Sequence, residues 1–321
     1  MNPQLCLIQN KMAVIPVFRQ PRYPVANLTE QTQVHAASKL RASLAEPGLC
    51  IAPGAYDGLT AMLVAQAGFP AVYMTGAGTS VAHGYPDFGL LTATEMVANA
   101  ARMARAVDVP VIADADTGYG NELNVVRTIQ DYEQAGVAGI HIEDQVSPKR
   151  CGHLDDKEIV PRADWIAKLR AAVATRRDPA FLIIARTDSR AVAGFEEAVG
   201  RANEALANGA DMAFVEAPQT LEEIAAVPKL VRGPCLLNVV WGGKTPMLDL
   251  REAEAMGFKL AIVPALLLKA AIGACDDALG ALKATHTHPT PPGSMTVRDV
   301  FGRVGAREWD GSRTKFRPDG V

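Results

Sequence analysis

Asp114 and Asp116 stand two apart in ADADTGYG, and Glu143 and Asp144 close the segment HIEDQ soon after. Arg186 and Asp188 follow in ARTD, and Glu216 and Asn238 end later apolar runs. Residues two apart on an extended chain face the same side. Acids gathered on one rim repel each other, and a divalent cation relieves the repulsion. Carboxylates without histidine or cysteine partners suit a hard ion such as Mg²⁺, with Mn²⁺ as the substitute. A lone DxD is more simply a loop cap or salt bridge; the recurrence of acids at successive run ends favours metal.

A second group lies in SPKRCGHLDDKE, where Lys149, Arg150, Cys151, Gly152 and His153 are consecutive. A thiol there could be an acid or base, a metal ligand, or an inert surface group. No further cysteine or histidine stands at zinc-finger spacing, which argues against a metal knuckle. Adjacent cations are expected to lower the thiol pKa from its free value of ~8.5 and make it reactive. Cys50, Cys235 and Cys275 lie in apolar runs and read as small core residues.

Strands and helices in regular alternation would set these groups on one rim. Apolar runs at 49–53, 71–74, 109–113, 138–143, 181–185, 212–216, 235–239 and 260–264 read as strands. Helical periodicity at 95–107, 124–135, 164–174 and 195–208 falls between them. Glycines in QAGF, QAGV, ANGA and AMGF supply the left-handed turn that closes a helix before the next strand. Eight such units predict a closed (β/α)8 barrel, with an open doubly wound sheet as the alternative. Active groups in a barrel collect at the C-terminal ends of the strands. Those ends include Tyr56-Asp57-Gly58 and the small-residue turn Tyr73–Gly78, whose N–H groups are expected to be free for an anion.

The expected division is an N-terminal arm over 1–36, a catalytic barrel over 37–285 and a C-terminal extension over 286–321. Helices are expected at 266–283 and 295–304. His286 and His288, in the Pro-rich linker between them, are assigned no role. Apolar residues make up 49% of the 321 and charged residues 21%, the balance of a soluble globular protein with a sizeable core. A net charge of −3 without a basic, aromatic-laced stripe excludes nucleic acid as an expected partner. No apolar run is long enough for a membrane helix. Five scattered cysteines point to a reducing, cytoplasmic setting. Lys11, Arg19 and Arg22 without an acid in the first 29 residues are only a weak targeting signal.

In this order, Tyr73–Gly78, Pro86–Gly89, Asp114–Gly120, His141–Gln145, Lys149–His153 and Ala185–Asp188 resemble the motifs of the isocitrate lyase/phosphoenolpyruvate mutase superfamily. The resemblance covers roughly residues 38–310, and Lys-Arg-Cys-Gly-His is similar to the loop of its lyase branch. It implies a barrel whose eighth helix is swapped between subunits of a homotetramer. It implies Mg²⁺ held by Asp114 and Asp116, with Glu143 and Asp87 around it. Thr75, Gly76 and Ala77 would bind a 2-oxo-acid carboxylate, with Tyr73 and Arg150 also at the substrate. Arg186 would hold the polarised oxygen, and Glu216 and Asn238 would line the far side. Cys151 would be the acid on a closing lid, with Lys149 and His153 assisting.

The resemblance further implies a carbon–carbon lyase acting on a 2-hydroxy or 2-oxo dicarboxylate. Leu154 followed by Asp155 and Asp156 leaves no arginine for a third carboxylate, which favours an alkylated malate such as 2,3-dimethylmalate over methylisocitrate. Val240 has no hydroxyl for a hydrated ketone, which disfavours oxaloacetate hydrolysis; decarboxylation of oxaloacetate stays open beside it. Trp241 stands where relatives carry glutamate, and either widens an apolar lining or packs against Trp165 or a subunit interface. A dicarboxylate-binding protein without activity is the non-enzymatic alternative.

Overall fold

Eight short apolar strands, β1 (Cys50–Ala55), β2 (Val72–Met74), β3 (Val111–Asp114), β4 (Gly139–Glu143), β5 (Leu182–Thr187), β6 (Met212–Val215), β7 (Cys235–Asn238) and β8 (Leu260–Val263), pair in parallel in chain order. The circle closes where Cys50 pairs with Leu260 and Pro53 with Val263. The description rests on a computed structural model and covers residues 35–316. The expected (β/α)8 barrel is thus observed. Most of the N-terminal arm, with its basic residues, lies outside the described residues.

Strand periodicity builds the core and the site together. Tyr73, Ile112, Leu182, Ile184, Met212, Phe214, Leu236, Leu260 and Ile262 point inward and fill the barrel. Residues of the other parity, such as Val111, Ile140, Ile183 and Ala185, face the helices outside. Stepping two residues beyond the inward series gives Asp114 after Ile112, Arg186 after Ile184, Glu216 after Phe214 and Asn238 after Leu236. Polar residues therefore form the next layer of the same stack, at the C-terminal rim.

Before β1 comes α1 (Ala36–Ala45), whose Leu40 is fully buried with the barrel core. The returns to the sheet are α2 (Gly58–Gln66), α3 (Gly76–Ala82), α4 (Ala93–Ala106), α5 (Glu122–Ala135), α6 (Arg162–Thr175), α7 (Ser189–Ala193), α8 (Phe195–Ala207), α9 (Leu221–Leu230) and α10 (Leu250–Met256). Gly136 and Gly257 close α5 and α10 with φ of 83° and 104°, as the sequence pattern requires.

The C-terminal part differs. α11 (Leu266–Thr285) has no buried residue and exposes Leu266, Ile272, Leu279 and Leu282. α12 (Val297–Arg303) is close to its expected place, and α13 (Ala306–Phe316) was not expected. With Gly311 at its centre and a mostly polar composition, α13 carries little apolar periodicity to announce it. Phe301, Trp309 and Phe316 are also exposed. Among the described residues, no helix is long and apolar enough to cross a membrane.

Candidate active site

At the ends of β2, β3 and β4, a carboxylate cluster replaces the expected open anion cradle. The Gly76 N–H donates to Asp114 Oδ2 at 3.2 Å and the Asp116 N–H to Asp114 Oδ1 at 2.9 Å. Thr75 N–H is spent on the Ala55 carbonyl at 3.0 Å, and Gly78 N–H on Thr75 Oγ1 at 3.2 Å. The expectation of free N–H groups is corrected for Thr75, Gly76 and Gly78, whose N–H groups are taken by the Ala55 carbonyl, Asp114 and the helix cap. Gly76 is required here, since a Cβ would sit 2.4 Å from Asp114 Oδ2. Asp116 adopts a left-handed φ of 45°, which turns the chain out of β3.

Lys149 crosses from the loop after β4 to this cluster. Its buried ammonium pairs with Asp87 and lies 3.1 Å from Asp116 Oδ1, without hydrogen-bond alignment to the latter. Burial works against its charge, but Asp116, Asp87 and Glu143 hold its pKa well above the usual range. Burial also opposes ionisation of Asp114, yet Lys149, Arg186 and the Asp116 N–H help draw it down to about 2. His141 contributes to that lowering only when protonated, and burial pushes its own pKa down to about 4. Burial raises Asp116 to about 6, with Lys149 opposing and Asp114 and Asp87 reinforcing the rise. Beneath them, the Tyr73 hydroxyl lies 2.8 Å from His141 Nε2.

At the ends of β5, β6 and β7 the groups satisfy one another. Arg186 donates to Asp188 Oδ2 at 3.0 Å and Oδ1 at 3.3 Å, lies 3.2 Å from Glu143 Oε2 and stacks over Phe214. The Asn238 amide donates to both Glu216 oxygens, at 3.2 and 3.1 Å. His153 Nδ1 accepts from the Lys244 N–H at 3.1 Å, which leaves the ring proton on Nε2, 3.3 Å from Glu216 Oε1.

Asp116 Oδ1 and both Glu143 oxygens are buried without a hydrogen-bond donor. Orphaned carboxylate oxygens of this kind, beside an excess of negative charge, fit a hard divalent cation. Among the described residues no three His, Cys, Asp or Glu side chains form a closed ligand cage.

A cavity of about 120 Å³ joins the two halves. Tyr73, Thr75, Ala77, Asp87, Asp114, Cys151, His153, Arg186, Glu216 and Asn238 line it. Gly76, Asp116, Glu143 and Lys149 lie in the shell behind them. The structure does not bring the other two expected site residues to the cavity. Arg150 is exposed with its guanidinium 5.7 Å above the Phe88 ring, and its backbone is gripped on both sides by Gln145. Trp241 is 72% exposed on the turn after β7, so it neither widens the lining nor packs on the fully buried Trp165. The apolar wall instead comes from Val240, Pro264, Ala265 and Leu268. Pro264 was legible as the inward residue after Ile262; Leu268 had no signal, because α11 approaches the rim from outside the strand pattern.

The expected lowering of the Cys151 pKa is also corrected. Burial pushes the thiol up to about 11, and Asp87 adds to the rise. The adjacent cations are spent elsewhere: Lys149 on two carboxylates, Arg150 on Phe88. His153 is held below its ordinary range by burial. Leu154 is exposed and Asp155 pairs with Lys244, so the residues thought to exclude a third carboxylate are outside the cavity.

The sequence model of the phosphoenolpyruvate phosphomutase family matches residues 40–283. The 2,3-dimethylmalate lyase of Eubacterium barkeri is 47% identical over 280 residues, covering 86% of this chain and 97% of the relative. A crystal structure of 2,3-dimethylmalate lyase superposes with a TM-score of 0.84 at 40% identity, covering 90% of this chain and 99% of that one. A phosphonopyruvate hydrolase complex with oxalate and Mg²⁺ superposes with a TM-score of 0.80 at 28% identity, covering 88% and 99%.

Proposed function

The chain belongs to the phosphoenolpyruvate mutase/isocitrate lyase superfamily as a carbon–carbon lyase, and from that premise we propose that it cleaves an alkylated malate such as 2,3-dimethylmalate. The C2–C3 bond breaks to give a 2-oxo acid, pyruvate for that substrate, and a carboxylic acid. One observation carries the choice: the cavity sets a single guanidinium and buried carboxylates against an apolar wall of Val240, Pro264, Ala265 and Leu268. Among the described residues Arg186 is the only lysine or arginine lining it, which suits two carboxylates rather than three. The apolar wall is the place for the alkyl substituent.

Asp114 and Asp116 would hold Mg²⁺ directly or through water, with Glu143 and Asp87 around it. When bound, the ion supplies positive charge beside the C2 oxygen as the 2-oxo acid forms. Arg186, fixed by Asp188, presents a preorganised donor to the same oxygen. The C2 hydroxyl proton passes to the buried carboxylates, where Glu143 Oε1 has neither a hydrogen-bond donor nor an ion-pair partner. Cys151, kept protonated by burial, donates its proton to the carbanion formed at C3. Docking of the Cys151 loop keeps water from reaching that carbanion first. His153, Glu216 and Asn238 position the loop tip, and Thr75 and Ala77 face the carboxylate of the forming 2-oxo acid.

The unburied apolar faces of α11 and α12 support a homotetramer in which α11 packs on a neighbouring barrel. Free cysteines at 50, 151, 235 and 275 support a reducing, cytoplasmic setting. The test is a product assay with 2,3-dimethylmalate, methylisocitrate and oxaloacetate, each with Mg²⁺ and with EDTA. Pyruvate from the first, abolished by EDTA, is expected. Turnover of none would overturn the reading, and preference for either of the others would replace the substrate.

A further inference from the structure

We propose that Lys157 is a positioning residue that latches the Cys151 loop onto the barrel and, through Asp188, ties that docking to the alignment of Arg186. The latch rests on the lyase reading only for its catalytic consequence; the loop geometry stands apart from it.

The loop from 146 to 158 is pinned at its base. The Val146 N–H donates to the Glu158 carbonyl at 2.9 Å, the Val160 N–H to the Asp144 carbonyl at 2.8 Å, and Gln145 bridges to Ile159. Its tip carries Cys151, Gly152 and His153 to the cavity. Lys157 belongs to the base but reaches the tip. Its side chain is 1% exposed, although Asp156 and Glu158 on either side are exposed. A lysine in a polar loop gains nothing from such burial by packing alone; its ammonium must be held. It donates to the Gly152 carbonyl and to Asp188 Oδ1, the latter at 3.0 Å.

Gly152 is where the loop meets the site most closely. A Cβ there would lie 2.3 Å from Glu216 Oε1 and 2.6 Å from Arg186 Nη2. Asp188, the other acceptor for Lys157, is the carboxylate that takes both Arg186 donors. Asp188 is itself fixed through its N–H, which donates to Asp144 Oδ1 at 2.7 Å. Thr187 and Arg201 hold the other Asp144 oxygen. One carboxylate therefore serves the lysine that holds the loop and the arginine that faces the substrate. Lifting the tip removes one acceptor from a buried ammonium, so the docked loop is favoured and Arg186 keeps its orientation while the thiol is in place.

The test uses Lys157→Met, which keeps the chain length and removes the donors, with Lys157→Arg as the conservative variant. Methylthiolation of Cys151 by methyl methanethiosulfonate, followed peptide by peptide without substrate, should accelerate at least about tenfold in Lys157→Met. Turnover should fall roughly 10- to 100-fold with little change in KM, and Lys157→Arg should recover part of both effects. Unchanged Cys151 reactivity in folded Lys157→Met overturns the latch, whatever the substrate proves to be. Accelerated modification with full turnover overturns the link to Arg186. If Lys157→Met does not fold, Gly152→Ala displaces the tip and leaves Lys157 in place. It must raise the same modification rate, and failure to do so also overturns the latch.

Discussion

The two halves of the rim solve the problem of buried charge in opposite ways. At the ends of β3 and β4, one ammonium, that of Lys149, serves both Asp116 and the Asp87 of the loop before α4, and oxygens of Asp116 and Glu143 remain without donors. At the ends of β5 to β7, Arg186 and Lys157 answer Asp188, while Asn238 and His153 answer Glu216. The first half is short of positive charge, while the acids of the second are each answered within it, Arg186 reaching back only to Glu143. An incomplete half invites a mobile cation, whereas a complete half gives fixed, preorganised dipoles. The Cys151 loop serves both, sending Lys149 to one and Lys157 with His153 to the other.

The strongest test of this asymmetry is to remove one negative charge from each half. Asp116→Asn should lower turnover by roughly 10³-fold and abolish any rise of Tm on adding Mg²⁺. Without Mg²⁺ its Tm should equal or exceed that of the unaltered protein, because repulsion among the acids is relieved. Asp188→Asn should do the reverse to stability, costing about 3–5 kcal/mol in urea unfolding, since Arg186 and Lys157 lose their shared carboxylate. If both variants move Tm in the same direction, the contrast between the halves fails.

A smaller effect is expected at the thiol between them. Cys151→Ser should reduce turnover about 10²-fold, as a serine hydroxyl is a far weaker acid. The pH profile fixes the sign of the shift. The donor is present below its folded pKa, so the thiol limb of turnover should stay flat through neutrality and fall only as pH rises through about 11. A fall beginning near pH 7 would mean that the cations of the loop do lower the thiol, as the sequence alone suggests.

That reversal marks where the sequence stops being legible. Strand parity places Asp114, Glu143, Arg186, Glu216 and Asn238 on one rim without coordinates, because period-2 alternation is a local property of the chain. Local sequence also says which cations neighbour Cys151, but not where they point. Lys149 turns away to two acids, and Arg150 lies over Phe88. These partners come from the loop before α4 and from the end of β3, far away in the chain. Lys157 is hidden for the same reason, since nothing in DDKE distinguishes a buried latch from a solvated charge. The role of Asp188 as a shared anchor likewise depends on a loop contact 31 residues distant.

Trp241 gives the smallest expected effect and tests where the apolar side of the cavity ends. It stands next to Val240, which lines the cavity, but strand alternation and the turn closed by the Gly243 N–H on the Val240 carbonyl carry it outward. Its carbonyl accepts from Lys269 of α11, and its side chain remains 72% exposed. Removing an exposed side chain should change stability by no more than about 0.5 kcal/mol. Trp241→Ala should accordingly leave kcat/KM within about twofold. Val240→Ala, by contrast, removes two methyl groups from the wall and should weaken use of an alkylated substrate by roughly tenfold relative to malate. A larger loss from Trp241 than from Val240 would show that the turn folds inward over bound substrate, and the apolar boundary would then have to be drawn one residue further along the chain.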